Sequence, residues 1–183
     1  MKKLVMIVVM AVAMVATVTM GMASADGGKK VDVKGLEAFE ANSLFLSNLR
    51  FVPEKINVEK GDKVTWKDDA LTSVPHTITI VDPADLPSNF AEAYICNWDK
   101  RILGVDGPCL QFVDAHGGIP PTTPVVEAGR NGLDATGDSI FLPPNSSVSA
   151  QITASPGTTL HYICIIHPWM QGTITVEEER RRK

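Results

Sequence analysis

The sequence predicts an all-β fold, an antiparallel sandwich or barrel of short strands with one long insertion. Two observations lead to this prediction. Short stretches in both halves of the chain alternate polar and apolar residues, which is typical of strands with one buried face. Turn residues separate these stretches, whereas residues 82–136 lack the alternation and contain much of the proline and glycine.

The first 25 residues have the composition of an export signal. Two lysines precede a nearly apolar run over residues 4–20, and Ala23-Ser24-Ala25 is a small-residue cleavage site. The apolar run is also about long enough for an uncleaved membrane anchor, but the cleavage site favours removal. We therefore predict a cleaved signal peptide over 1–25, and a periplasmic or otherwise extracytoplasmic protein without stable membrane insertion after cleavage.

The charge of the chain argues against a nucleic-acid-binding protein. The 183 residues include 17 basic and 21 acidic ones, and removing the two lysines of the signal raises the acidic excess from four to six. Nucleic-acid-binding domains usually carry a basic surface, so no such partner is expected. The residues after the signal are enough for one domain with a complete core.

The first half of the predicted domain contains four strand-like stretches. Residues 26–42 begin with polar residues and glycines and are predicted to be a loose N-terminal arm. The domain itself is predicted over 43–177, with turn residues such as Lys60-Gly61-Asp62 between its strands. The four stretches are Leu44–Leu46, Lys55–Glu59, Lys63–Lys67 and His76–Val81.

Residues 82–136 are predicted to be an insertion of loops and a short helix. Ser88 is a candidate cap for a helix over Phe90–Ile95. Cys96 and Cys109 flank a loop-like stretch, and exported proteins tend to pair their cysteines. We therefore expect a disulfide between these two cysteines, which would stabilise the fold by about 3 kcal/mol in the loop-entropy description.

The alternation returns in the second half of the domain. Turn residues again separate the stretches, and the charged residues 178–183 are predicted to form a solvated tail. The four predicted strands of this half are Ser139–Leu142, Ser147–Thr153, Thr159–Cys164 and Gly172–Val176.

The segment between the last two predicted strands combines three metal-binding side chains at intervals of three residues. Cys164, His167 and Met170 offer a thiolate, an imidazole and a thioether. Two histidines, one cysteine and a weak axial methionine are the ligands of a type 1 copper site, whereas a methionine argues against zinc. His76 is the best candidate for the second imidazole, so the sequence predicts one copper ion held by these four residues.

Simpler interpretations exist for each of these residues. A lone Cys164 would be an inert buried thiol, but pairing of the other two cysteines leaves it as the odd thiol of an exported protein, which favours a ligand role. Met170 could fill a gap in the core. His161 should lie on the opposite face of its strand from Cys164, and His116 lacks clustered partners and is predicted to be a loop histidine.

Two blocks of the sequence resemble blue-copper cupredoxins of the plastocyanin and azurin type. They are Phe51–Trp66 with Pro75–Ile78, and residues 137–176, in which the Cys-x-x-His-x-x-Met spacing is similar to that of amicyanin. The resemblance implies a Greek-key β-sandwich of about eight strands with the four copper ligands named above. It also implies an electron carrier, not an enzyme, that shuttles single electrons between transient redox protein partners by Cu(I)/Cu(II) cycling.

The sequence departs from the family pattern beside the predicted ligands. Many cupredoxins carry an asparagine directly after the first histidine, where it supports the ligand loop, and this chain has Thr77 instead. The insertion over 82–136 has no counterpart in the minimal pattern. Pro168 and Trp169 adjoin His167 and are predicted to form an apolar docking rim around an exposed imidazole edge.

Two other functions remain open from the sequence. The chain could store or deliver copper, although its methionine-rich stretch lies only in the predicted signal. It could also be a modified cupredoxin that acts on nitric oxide or nitrite, which requires an open position on the metal. The motifs of nucleophilic hydrolases, nucleotide-binding loops and zinc proteases are absent from the sequence.

Overall fold

The structure is a computed structural model that describes residues 28–99, 101, 104, 106–118, 121–129 and 131–178. The predicted signal peptide and residues 179–183 of the predicted tail lie outside this part of the chain. Within it, no helix has both the length and the apolar character needed to cross a membrane.

Among the described residues, ten strands form two sheets and two more form a separate hairpin. In chain order the strands are β1 (Lys29–Lys34), β2 (Glu37–Glu40), β3 (Leu44–Ser47), β4 (Arg50–Val52), β5 (Lys55–Val58), β6 (Lys63–Asp68), β7 (His76–Val81), β8 (Val125–Val126), β9 (Ser139–Leu142), β10 (Ser147–Gln151), β11 (Thr159–Ile163) and β12 (Gln171–Val176). The four-stranded sheet has the order β10–β6–β1–β4, and the six-stranded sheet has the order β5–β12–β11–β7–β9–β8. Strands β2 and β3 pair only with each other, and we call them the β2–β3 hairpin.

The main core lies between the two sheets, where the inward residues of each strand meet. Trp66 of β6 and Phe51 of β4 face Tyr162 of β11, with ring centroids 6.0 and 4.9 Å apart respectively. The alternation of Val64 and Trp66 with polar neighbours places both in this core, as expected. Each fully buried aliphatic side chain contributes about 1.5–3 kcal/mol to such a core. The predicted all-β Greek-key sandwich is confirmed, with ten strands in its sheets instead of about eight.

The N-terminal stretch differs from the expected loose arm. Strand β1 pairs with β6 in parallel and with β4 in antiparallel register, so it is an internal strand of the four-stranded sheet. Val31 and Val33 are fully buried on its inner face. Only two inward residues, surrounded by lysines, reveal this strand in the sequence, and its parallel partner is more than 30 residues away.

The stretch Leu44–Leu46 is a strand but not part of the sandwich. It forms most of β3 in the β2–β3 hairpin, and its three side chains are exposed. The sequence predicted these residues as a strand of the domain. The hairpin instead places them on the surface, in a groove that also includes Trp169.

In the described part of the insertion, a 3-10 helix (Pro83–Asp85) precedes two short α-helices that the predicted disulfide joins. Helix α1 is Phe90–Ile95, at the predicted position, but its cap is Asn89, whose side chain accepts a hydrogen bond from the Glu92 amide. Helix α2 is Leu110–Ala115, and the Cys96–Cys109 disulfide is confirmed. A second apolar cluster lies beneath the insertion. Its members are Val81, Cys96, Cys109, Phe112, Val113, Ile163 and Ile165.

Candidate metal centre

The four predicted ligands come from two neighbouring parts of the six-stranded sheet. His76 is the first residue of β7, and Cys164 directly follows β11, the strand that pairs with β7. His167 and Met170 lie in the turn between β11 and β12. Cys164, His76 and Met170 are fully buried, and His167 is 5% exposed. The strand pairing therefore brings residues 88 positions apart to one place.

Backbone hydrogen bonds hold the turn that carries three of these residues. The amide of His167 donates to the carbonyl of Cys164 at 3.1 Å, and the amide of Met170 donates to the carbonyl of His167 at 2.8 Å. The amide of Cys164 donates to the carbonyl of Met170 at 2.9 Å, which closes the turn. The spacing of three residues thus corresponds to a compact loop whose ends are tied together.

The two imidazoles present the same ring nitrogen to the thiol. The Sγ atom of Cys164 lies 3.5 Å from Nδ1 of His167 and 3.9 Å from Nδ1 of His76. The three ligand atoms all lie within 4.8 Å of one another, and among the residues described no other group of three or more His, Cys, Asp or Glu meets this criterion. Sγ also accepts a hydrogen bond from the Thr77 amide at 3.4 Å.

Each imidazole directs its second nitrogen toward a carboxylate. Nε2 of His76 lies 3.8 Å from Oδ1 of Asp68, and Nε2 of His167 lies 3.4 Å from Oε1 of Glu37. The 3.8 Å separation is longer than a hydrogen bond, and Nε2 of His76 has no hydrogen-bond partner within the described ranges. A carboxylate on this side of a ring nevertheless favours a hydrogen on Nε2 by its charge, which leaves the lone pair of Nδ1 free for a metal ion. Both rings are therefore arranged to bind a metal through Nδ1.

Burial keeps all three groups uncharged in the metal-free protein. It lowers the pKa of His76 to about 4, an effect that nearby His167 increases and Asp68 opposes. Burial also lowers the pKa of His167, with Glu37 acting in the opposite direction. The pKa of the Cys164 thiol is raised to about 11 by burial, although hydrogen bonds from backbone amides partly offset this. At neutral pH the imidazoles can donate lone pairs, and metal uptake must displace the thiol proton.

The donor set fits a soft metal ion. Two neutral imidazoles and one thiol converge in a buried site, and Met170 adds a thioether in the same loop. Imidazole with thiolate and thioether ligands suits copper, whereas magnesium and calcium require oxygen ligands. The residues present therefore fit the copper ion that the sequence predicted.

Trp169 forms part of an apolar groove beside the site. Its ring lies in edge contact with His167, with centroids 5.4 Å apart, and it is 36% exposed. The groove has a volume of about 560 Å³ and includes Phe45, Leu46 and Phe90. His167 itself does not have the exposed edge that the sequence predicted, because Trp169 and the carboxylate of the β2–β3 hairpin lie against it. Pro168 is buried.

The insertion contacts the ligand loop directly. Asn97 Nδ2 donates to the carbonyl of Ile165, the residue after Cys164. Gln171 Nε2 donates to the carbonyl of Pro87 at 2.8 Å. On the other side, Oγ1 of Thr77 accepts from the Ile165 amide at 2.9 Å. Ile165 is thus held from both sides, and Thr77 bonds to the ligand loop from the position that follows the first histidine.

Two residues that contact the imidazoles, Asp68 and Glu37, were not identified from the sequence. Asp68 follows Val64 and Trp66 at intervals of two, so alternation places a carboxylate on the core face, and this signal could have revealed it. Glu37 gives no such signal, because it reaches His167 only through the position of the hairpin. His116 was predicted to be a loop histidine, and it lies in the turn after α2. It is nevertheless only 1% exposed, and both of its ring nitrogens are hydrogen-bonded.

Structural neighbours of the chain are cupredoxins at low sequence identity. A purple cupredoxin from Nitrosopumilus maritimus is 16% identical with a TM-score of 0.41, covering 81% of this chain and 99% of that one. Auracyanin from Roseiflexus castenholzii is 18% identical with a TM-score of 0.44, covering 82% and 98%. A mutant of amicyanin in the Cu(I) state is 17% identical with a TM-score of 0.41, covering 85% and 87%. No protein-family model and no curated protein matches the chain.

Proposed function

We propose that this protein is a mononuclear type 1 copper protein that carries single electrons. The observation that supports this most strongly is that one ring nitrogen from each of two histidines and Sγ of Cys164 lie within 4.8 Å of one another in a buried site. In both rings, Nδ1 is the nitrogen that contacts Sγ. When bound, copper would supply the cycling between Cu(I) and Cu(II). The chain would supply a dry and fixed set of donors, which reduces the rearrangement that accompanies each electron.

Each ligand has a distinct role in this proposal. Cys164 would bind as the thiolate, and His76 and His167 would bind through Nδ1. Met170 would be the weak axial ligand that tunes the potential, since it is fully buried and its amide and carbonyl bond to His167 and Cys164. These four residues are the ones that the ligand spacing and the strand pattern predicted.

Burial of the site argues against the two alternative functions. A copper-delivery protein needs ligands that a receiving protein can reach, but three of the four proposed ligands are fully buried and His167 is 5% exposed. An enzyme acting on nitric oxide or nitrite needs an approach for its substrate. The groove beside Trp169 is lined by the tryptophan ring but by none of the four proposed ligands, so it suits contact with a protein better than passage of a small molecule.

We also propose that electrons pass between the site and a redox protein through the His167–Trp169 contact. The exposed apolar surface around Trp169 includes Phe45 and Phe90. Electron-transfer encounters use small interfaces, and an apolar patch next to a ligand fits that requirement. The disulfide of the insertion supports export, because disulfides persist in oxidising compartments.

The visible and electron paramagnetic resonance spectra of the copper-loaded protein test this function. We expect intense thiolate-to-copper absorption and a narrow copper hyperfine splitting. Cys164→Ser should abolish the absorption, because the hydroxyl cannot replace the thiolate. His161→Gln is the matched control, since His161 is a half-buried histidine outside the site, and it should retain the colour. A wide hyperfine splitting in the unmodified protein, or strong colour in Cys164→Ser, would refute the proposal.

A further inference from the structure

A buried chain of hydrogen bonds begins in the insertion, at His116. This residue directly follows α2 and is 1% exposed. Its Nδ1 atom lies 2.6 Å from the carbonyl oxygen of Thr123, so this nitrogen carries a hydrogen and donates. Its Nε2 atom lies 2.7 Å from Oγ of Ser139, the first residue of β9. The ring is therefore fixed between the insertion and the six-stranded sheet.

Three hydroxyl groups continue the chain to the ligand loop. Oγ of Ser139 lies 2.6 Å from Oγ1 of Thr79, which is hydrogen-bonded to Oγ1 of Thr77 at 3.1 Å. Oγ1 of Thr77 accepts the amide hydrogen of Ile165 at 2.9 Å. Ser139, Thr79, Thr77 and Ile165 are all buried. Ile165 directly follows Cys164, so the chain ends next to the proposed thiolate ligand.

Thr77 provides the last hydroxyl of this chain of hydrogen bonds. It contacts Cys164 and Ile165, which we call the Cys164 segment, at two points. The amide of Thr77 donates to Sγ of Cys164, while its hydroxyl holds the Ile165 amide. Buried hydroxyl groups require partners, and a missing partner leaves an unsatisfied group in a medium of low dielectric. Fully paired buried networks make their surroundings rigid. A break anywhere along the chain should therefore loosen the hold of Thr77 on the ligand loop.

We propose that His116 is a positioning residue of the metal centre, which holds the Cys164 segment through Ser139, Thr79 and Thr77. The effect on copper rests on the proposed function, whereas the effect on the ligand loop does not require metal. The simpler alternative is that His116 only anchors the insertion. The disulfide and the bond from Asn97 to Ile165 also anchor the insertion. The insertion should therefore stay in place when the hydrogen bonds of His116 are broken, so an effect on the ligand loop can be distinguished from a loss of anchoring.

Amide hydrogen exchange of the metal-free full chain, followed by NMR, tests the role on the ligand loop. Thr79→Val and His116→Phe interrupt the chain of hydrogen bonds between His116 and Ile165. Thr65→Val is the matched control, because it removes a hydrogen bond between two hydroxyl groups in the other sheet. The Ile165 amide should exchange about tenfold faster relative to the Ile152 amide in the first two variants. The ratio of the Ile165 exchange rate to the Ile152 exchange rate should not change in Thr65→Val. Because a general loss of stability accelerates both amides, this ratio reports only the local change at Ile165.

The reduction potential of the copper-loaded variants tests the role toward the metal. We expect Thr79→Val to change the relative binding of the two oxidation states about threefold, and Thr65→Val to leave it unchanged. An unchanged Ile165 ratio in both Thr79→Val and His116→Phe would overturn the proposal, as would faster exchange without any change in potential. If copper binds to no form while Ile165 exchange accelerates, the proposed function fails but the hold of His116 on the Cys164 segment stands.

Discussion

The two histidines of the metal centre make similar contacts with Cys164 but lie in different surroundings. His76 is fully buried, and its partner Asp68 is itself buried and accepts hydrogen bonds from the amides of Asn145 and Ala70. His167 lies near the surface, and its partner Glu37 belongs to the β2–β3 hairpin outside the sandwich. One ring is thus supported by the core and the other by a peripheral element.

Under the proposed function, this difference would separate two tasks that an electron carrier must combine. Such a site must remain nearly unchanged between oxidation states, which requires fixed donors, and it must also exchange electrons with a partner, which requires a short path to the surface. The Asp68–His76 side would supply the fixed donor. The His167 side would supply the path, since only this ring contacts an exposed aromatic residue, Trp169, among the residues the structure describes.

The largest expected effect comes from breaking the buried support. Asp68→Asn replaces one carboxylate oxygen with a donor, which weakens the contact with His76 and disturbs the amide bonds of residues 70 and 145. We expect copper affinity to fall by about 10–100-fold and the free energy of unfolding to fall by about 1–3 kcal/mol. Chelator competition and denaturant unfolding measure the two quantities.

Glu37→Gln is the control for this comparison. Glu37 is partly exposed and supports His167 from the hairpin, so the same chemical change should reduce copper affinity by less than about threefold and leave unfolding almost unaffected. Equal losses in the two variants would show that the two histidines are supported equally, contrary to the structure.

The same contrast explains which parts of the site could be predicted. Cys164, His167 and Met170 are recognisable because one short loop contains soft donors at equal spacing, and His76 begins a β-branched strand. The alternation that reveals the sandwich also places Asp68 on the core face. Local patterns therefore determine the half of the site that is built on the sandwich.

The peripheral contributors depend on contacts that no local pattern contains. The position of Glu37 follows from the path of the chain after β1, a strand that only Val31 and Val33 reveal. His116 has no metal-binding neighbours in the sequence, and its role depends on the approach of the insertion to β9. Tertiary contact over many residues decides both cases, which is why sequence periodicity did not identify them.

A smaller effect is expected at the proposed axial ligand, which belongs to the buried side of the site. Met170→Gln should retain copper but lower the potential, because a harder oxygen donor favours Cu(II). We expect roughly a tenfold change in the relative binding of the two oxidation states, about 59 mV for a one-electron couple. Voltammetry measures this change, and an unchanged potential would remove Met170 from the ligand set.

The chain provides an independent check on the same residue. Met170 is the only methionine outside the predicted signal peptide. Protein labelled with ¹³C at the methionine methyl group and lacking residues 1–25 should therefore show a single methyl signal. This signal should shift when copper is added if Met170 is a ligand, and a signal insensitive to copper would contradict the assignment.

An effect of similar size, on a rate and not on an equilibrium, is expected on the surface side, at Trp169. Trp169→Ala removes the ring that contacts His167 and reduces the apolar surface of the groove, so electron exchange between two copies of the protein should slow by roughly tenfold, equivalent to about 1.4 kcal/mol. NMR line widths in mixtures of the oxidised and reduced protein measure this rate.

Two variants serve as controls for Trp169→Ala. Trp169→Phe retains an aromatic contact, and Val125→Ala removes exposed apolar surface at the sheet edge, so both should remain close to the original rate. The thiolate-to-copper absorption of Trp169→Ala should be retained because the ring provides no ligand atom. A rate unaffected by Trp169→Ala would place the electron path elsewhere and remove the functional difference between the two histidines.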